Sequence, residues 1–204
     1  MNVTLGIIII TGLVSYMAFN RHDLFDKLKF NPPRILKEKE YYRLLSYALL
    51  HGGWTHLLIN MFVLYSFGSA VEGYFYFIFG SKASVNYLLL YIGALIFCNL
   101  YALIKHKDDY FYNAVGASGG VSAILFASVL FDPWGKIYFF GVLPIPGIVF
   151  GVIYLYYCYK MNKQNSDNVA HDAHFLGAVF GFIFPILMQP RIFHIFTERL
   201  LNLH

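Results

Sequence analysis

"YLLLYIGALIFCNLYALI", residues 87–104, decides the fold class of this chain. A helix on the outside of a soluble bundle alternates polar and apolar faces with a period near 3.6 residues, and this stretch shows no polar face at that period. Five further apolar runs of helical length accompany it, giving six at roughly 3–19, 55–79, 85–104, 114–131, 137–159 and 170–190. Each is close to the ~20 residues that a helix needs to cross hydrocarbon, two of them a little short. Composition agrees: 58% of the 204 residues are hydrophobic and only 13% are charged, against roughly 25% charged in soluble domains. The expectation is an all-α membrane protein, a six-transmembrane-helix bundle forming one domain over residues 1–204.

The segment before "LGIIIITGLV" carries no Lys or Arg and no small-x-small cleavage site follows, so the first run reads as a retained helix rather than a signal peptide. Cys98 and Cys158 lie in the expected spans, where cysteines pack as small apolar groups. There is no Walker-type glycine loop, no cysteine ligand cluster and no nucleic-acid motif. Repeated halves or charges spread over several helices, as a transporter would carry, are not visible.

The connections are short except residues 20–54, interrupted by Pro32-Pro33 and containing "EYYRLLSYALL", an amphipathic piece suited to the membrane interface. A connection of this length inside a compact domain is structured or functional. The fifth run contains "GVLPIPGIVFG", with Pro144, Pro146 and Gly147 inside an apolar span. Such residues remove backbone hydrogen bonds and loosen a helix. Either neighbours re-satisfy the backbone or this helix is built to move, and a mobile helix here is a candidate lateral gate. Eleven of the 15 basic residues fall on the side of the first, third and fifth loops. The positive-inside rule would place that side in the cytoplasm.

Ionisable and polar side chains inside a span are costly, so each is a functional candidate. "HGGWTHLLINMF" opens the second run, with His56 and Asn60 four residues apart on one helix face, and His51 one turn earlier as a capping residue. Imidazole and carboxamide N–H groups suit an oxyanion. "NAVGASGGVSAILFASVLF", residues 113–131, opens the fourth run with Ser118 among Gly116, Gly119 and Gly120. Glycines allow a sharp turn and close approach, and amides at a helix start point outward for an anion. "VAHDAHFLGAVFGFIFP" places His174, Gly177, Ala178 and Gly181 on one face. The Gly177-x-x-x-Gly181 spacing allows tight helix contact. If that face packs on the Ser118 helix, His174 comes within reach of the hydroxyl, which needs an adjacent base to attack. His51, His56, His171 and His174 could supply nitrogen ligands to a metal. His171 and His174 stand at i, i+3 with Asp172 on another face, unlike H-E-x-x-H, and a metal would leave Ser118 and its glycines unexplained, so no metal is expected.

Together these stretches resemble the rhomboid family of intramembrane serine proteases, in its bacterial six-helix form. "GASGG" resembles the family's G-x-S-G, implying Ser118 as nucleophile. "AHFLGAVFG" is similar to A-H-x-x-G-x-x-x-G, implying His174 as general base. "HLLIN" is similar to H-x-x-x-N, implying that His56 and Asn60 assist the Ser118 amide at the oxyanion. Arg43 resembles the first-loop arginine, with Tyr42 where a tryptophan is common, and Glu72 a structural glutamate. His51, Gly116, Gly119, Gly177 and Gly181 are carried as structural positions.

The resemblance implies a Ser-His dyad with no cofactor, acting on transmembrane segments of membrane-protein substrates within the lipid bilayer, with no nucleic-acid partner. It implies a multi-pass protein of the bacterial inner membrane, with the long loop on the non-cytoplasmic side, opposite to the charge count. The alternative is a catalytically silent rhomboid-like protein that binds membrane helices for quality control or trafficking. Such relatives typically lose the serine or the histidine, and both stand here. One position departs from the pattern: where some members carry an aromatic four residues after the nucleophile, this chain has Ser122.

Overall fold

The computed structural model describes residues 3–139, 141–164 and 169–201. Helix dominates: α1 (Val3–Phe19), α2 (His22–Leu28), α3 (Pro32–Leu36), α4 (Arg43–Ser46), α5 (Trp54–Phe79), α6 (Ala83–Phe97), α7 (Leu100–Lys105), α8 (Ser118–Phe131), α9 (Gly147–Gln164), α10 (His171–Met188) and α11 (Arg191–Leu201). One antiparallel hairpin, β1 (Lys136–Phe139) with β2 (Leu143–Pro146), precedes α9.

Helix α8 is the axis of the molecule, with every residue from Gly119 to Phe131 buried. Helices α5, α6, α9 and α10 surround it, and α1 packs outside α5. Helix α8 has 14 residues. At 1.5 Å per residue it is about 21 Å long, shorter than the ~30 Å hydrocarbon layer. It need not span alone, because residues before it run as extended chain: Ala114 pairs with Phe30 in an isolated antiparallel bridge. The expected start at 114 is therefore corrected to 118. Gly116, at φ 124, turns the chain into the helix through a conformation that side-chain-bearing residues avoid.

The fifth expected helix, 137–159, is also corrected. Its first part, up to Pro146, is the hairpin, with Pro144 and Pro146 in β2, where proline's missing donor is tolerated at an edge; Phe140 lies outside the described residues. Helix α9 begins only at Gly147, so the prolines do not loosen it and the sequence-based ground for a gate is removed. The third expected helix, 85–104, is interrupted at Cys98–Asn99. There Asn99 Nδ2 donates to the Tyr47 hydroxyl at 2.6 Å, and that hydroxyl donates to the Leu95 carbonyl at 2.8 Å, so the break is hydrogen-bonded.

Two helical stretches among the described residues are long and apolar enough to cross a membrane, Trp54–Lys105 at mean hydropathy 2.1 and His171–Met188 at 1.4. Val3–Phe19 and Ser118–Phe131 are apolar but shorter. The perimeter is apolar as well: Ile9 and Leu13 of α1, Val152 of α9 and Leu187 of α10 are exposed, and on α5 Phe62 and Phe77 are 68% and 84% exposed. An apolar perimeter of this extent is what lipid covers.

The long first connection folds around Arg43, which is 1% exposed. Its guanidinium donates to the Asp26 carbonyl at 2.7 Å and the Lys29 carbonyl at 2.8 Å, and pairs with Glu40. Asn31 caps α3 through the Arg34 amide at 3.1 Å and donates to the carbonyls of Tyr110 and Tyr112, fastening this loop to the chain that leads into α8. Glu72 works at the opposite end. Its two carboxylate oxygens accept the amides of Thr4 at 2.6 Å and Val3 at 3.1 Å, satisfying the first turn of α1, where a negative charge also suits the helix dipole. Glu72→Ala is expected to cost about 2 kcal/mol. A lowered thermal midpoint of the detergent-solubilised protein checks it, and Glu72→Gln should recover part of the loss.

Candidate active site

Gly177 and Gly181 set the site. A Cβ on Gly177 would fall on the carbonyl of Gly119, and one on Gly181 would fall on the backbone of Ala123. Both contacts advance by four residues, so α8 and α10 run parallel with their backbones touching, as small-xxx-small faces allow. By this register Ser118 stands level with Leu176. His174 lies two residues towards the α10 start, about 3 Å of helix rise. Ala173 closes the same level, since a Cβ on Gly119 would be 3.6 Å from its carbonyl oxygen. Ser118 and His174 are each only partly buried, while Gly119, Gly120, Ala173 and Gly177 around them are buried. The two side chains therefore open from one backbone-to-backbone seam.

The first internal hydrogen bond of α8 runs from the Val121 amide to the Ala117 carbonyl at 3.0 Å. The amides of Ser118, Gly119 and Gly120 are thus the ones that a helix start leaves over, where an anion is favoured. The His56 ring lies over this turn. A Cβ on Gly116 would be 2.7 Å from its Cε1 and 3.0 Å from its Nε2. Only glycine permits both that approach and the positive φ. Asn60, one turn further along α5, is buried and donates one amide N–H to the His56 carbonyl at 2.9 Å. A carboxamide has two such hydrogens, and this bond uses one of them.

His51 is fixed more firmly than its reading as a loop cap required. Its Nε2 accepts the Ala117 amide at 3.5 Å, so Nδ1 carries the hydrogen and donates to Ser15 Oγ at 2.9 Å; Ser15 in turn donates to the Leu49 carbonyl at 2.7 Å. Burial, with the neighbouring His56 ring at 4.8 Å between centroids, holds its pKa down at about 3. It acts here as a neutral strut between α1 and the residue preceding Ser118. Tyr47 adds a second strut, its carbonyl accepting the Gly116 amide at 3.1 Å. Sequence reasoning missed Ser15 and Tyr47. The hydroxyl of Ser15, on the same helix as Thr4 and Thr11, was the available signal.

Ser122 does not face His174 as a stacking partner: its hydroxyl is bonded to that of Tyr154 on α9 at 2.7 Å. The ring beside His174 is His171, one turn back on the same helix, at 6.1 Å and nearly perpendicular, with Tyr157 of α9 edge-on behind it at 5.6 Å. Asp172 accepts the amide of Ala173 at 2.8 Å.

Comparison with known proteins bears on the family. The sequence model of the Rhomboid domain matches residues 38–191. The chain is 33% identical over 161 residues to RHOMBOID-like protein 4 of Arabidopsis thaliana, covering 77% of this chain and 37% of that protein. It is 23% identical over 195 residues to the mitochondrial RHOMBOID-like protein 12 of the same plant, covering 87% of this chain and 55% of the relative. With Rhomboid protease GluP of Bacillus subtilis, identity is 27% over 147 residues, 72% of this chain and 26% of the relative. The chain thus spans about half the length of these curated relatives, or less.

Proposed function

The chain belongs to the rhomboid family of membrane proteins, and on that premise we propose that it is an intramembrane serine endopeptidase working through a Ser118–His174 dyad. In this reading α1, α5, α6 with α7, α8, α9 and α10 form the six-helix bundle in the bilayer. The substrates are transmembrane segments of other membrane proteins, unwound locally so that one carbonyl reaches Ser118. The observation that carries the reading is the glycine seam: Gly119 against Gly177 aligns a half-open serine at a helix start with a half-open histidine on the adjoining helix.

The chemistry follows from that alignment. Ser118 Oγ attacks the scissile carbonyl while His174 accepts its proton; His174 then returns the proton to the departing amine. The oxyanion develops against the Ser118 amide, with His56 and the second N–H of Asn60 completing the donors. Water, giving a proton to His174, then attacks the acyl group, and His174 passes that proton to the departing Ser118 oxygen, restoring the serine. His51, Ser15 and Tyr47 touch none of the reacting atoms; they position the turn from Gly116 to Ser118.

The test is labelling of the detergent-solubilised chain with a fluorophosphonate probe and mapping of the adduct by mass spectrometry. A single adduct on Ser118, lost in His174→Ala, is the expected result. A folded protein that binds a membrane helix yet takes up no probe and cleaves nothing would overturn the enzyme in favour of a silent helix-binding relative. An adduct on another serine would overturn the assignment of Ser118.

A further inference from the structure

Two buried metal-ligating side chains close to His174 have no part in the dyad. Cys158, on the last turns of α9, is 1% exposed, and His171, in the first turn of α10, is 4% exposed. His171 and His174, at i and i+3, share one side of α10, and α9 brings Cys158 to that side. One ligand atom from each of Cys158, His171 and His174 lies within 4.8 Å of the others. Sequence reasoning weighed only the histidines. The third ligand arrives from a different helix, where its spacing carries no motif.

We propose that Cys158, His171 and His174 form a site for a soft divalent cation, zinc foremost, and that zinc bound there reversibly inhibits the protease. One thiolate and two imidazoles are a donor set that prefers zinc to magnesium or calcium. Metal–ligand bonds of about 2.0–2.3 Å set tetrahedral ligand atoms roughly 3.5 Å apart, so rotamer adjustments of about an ångström close the observed spacing. Three protein ligands leave the fourth position to water. On binding, the Cys158 thiol loses its proton to solvent and its sulfur bonds the metal, with no change of oxidation state.

Inhibition rests on the reading of His174 as the base. A ring nitrogen that donates its lone pair to zinc cannot take the Ser118 proton, and the metal pins the imidazole towards α9. It also clips the last turns of α9 to the first turn of α10, holding still two helices that a substrate segment would have to approach. The site therefore couples the availability of free zinc to the state of the dyad.

Cobalt reports the metal site without reference to activity. The full chain, stripped with chelator and kept in detergent, is titrated with Co²⁺. A thiolate-to-cobalt charge-transfer band with tetrahedral ligand-field bands is expected, at one ion per chain, displaced by Zn²⁺. Cys158→Ser should lose the charge-transfer band, and His171→Ala should weaken binding by more than the ~10–100-fold that loss of an outer-sphere partner costs. Unchanged circular dichroism of the metal-free variants checks that they fold. Fluorophosphonate labelling is then read against added Zn²⁺: wild type should be suppressed and recover with chelator, while Cys158→Ala should need at least about tenfold more zinc. A folded wild type without the charge-transfer band overturns the site, whether or not the protein is an enzyme. A cobalt site whose zinc loading leaves labelling untouched overturns the inhibitory role, and so does equal zinc sensitivity in Cys158→Ala. A chain that forms the cobalt site but never labels counts against the protease and leaves the metal site standing.

Discussion

Ser118→Ala, His174→Ala and the variant carrying both are expected to lose cleavage of a reconstituted membrane substrate by the same large factor, on the order of 10⁴–10⁶ in kcat. The equality is the discriminating part. A serine hydroxyl is a poor nucleophile until a base takes its proton, and an imidazole has nothing to activate once the hydroxyl is gone, so either deletion removes the whole covalent route. Residual turnover then comes from the oxyanion donors and from holding the substrate, and all three variants keep those. The geometry gives reason to expect this unit. Ser118 begins α8 where the amides of 118–120 precede the first helical bond, and α10 is locked in register against it by the Gly119–Gly177 contact. Measurement is single-turnover cleavage in proteoliposomes, so that binding and chemistry separate. A double variant that falls much further than either single one would mean that Ser118 and His174 act independently, and the dyad would be abandoned.

Much of this arrangement was legible in the sequence because it rests on residue types with few alternative explanations. A histidine or asparagine within an apolar run is expensive, and glycines at i and i+4 on the same face as a histidine leave helix contact as the economical reading. Gly116, Gly119, Gly177 and Gly181 all lie where backbone approaches backbone or ring. The hairpin was not legible in the same way. "KIYFFGVLPIPG" is apolar after Lys136, and hydropathy alone cannot separate a short buried helix from two strands. Gly141 at φ 74, between β1 and β2, was the local sign of a turn, and the prolines that were read as a kink in fact lie in strand β2. The start of α8 was misread for a related reason. Residues 114–117 are apolar but not helical, a bridge at Ala114 followed by a turn at Gly116, held by Phe30, Tyr47 and His51 from a loop distant in sequence. Contacts between remote segments leave no periodic trace. The same holds for Cys158 and His171, whose proximity to His174 depends on how α9 meets α10.

Gly181→Val is expected to be strongly destabilising, lowering the thermal midpoint by about 10 °C or more, whereas Gly73→Ala, on an exposed face of α5, should stay within about 1 kcal/mol of wild type. Both substitutions improve intrinsic helix propensity over glycine, so propensity cannot explain a difference between them. Packing can. A Cβ on Gly181 would lie 2.6 Å from the carbonyl carbon of Ala123 and closer still to its Cα and oxygen, while one on Gly73 meets nothing within 4 Å. The obstruction at Gly181 is backbone of the central helix, which has no rotamer to change. The only relief is for α10 to move outward, opening voids along a seam that includes Gly119, Ala123 and Ala178 and drawing His174 away from Ser118. Overpacking typically costs 1–3 kcal/mol when neighbouring side chains can adjust; with backbone on both sides the cost belongs among the exceptional values above ~4–5 kcal/mol. For a chain of this size that corresponds to a fall of about 10 °C or more in the thermal midpoint. Midpoints are compared at one scan rate in one detergent, because unfolding of such proteins is commonly irreversible. A Gly181→Val protein that melts with wild type would show that α8 and α10 do not touch through this seam, and the alignment of Ser118 with His174 would lose its support. Gly181→Ala gives the intermediate test. It adds the same Cβ without the branch, so it should fall between the two, because the clash begins at that first carbon.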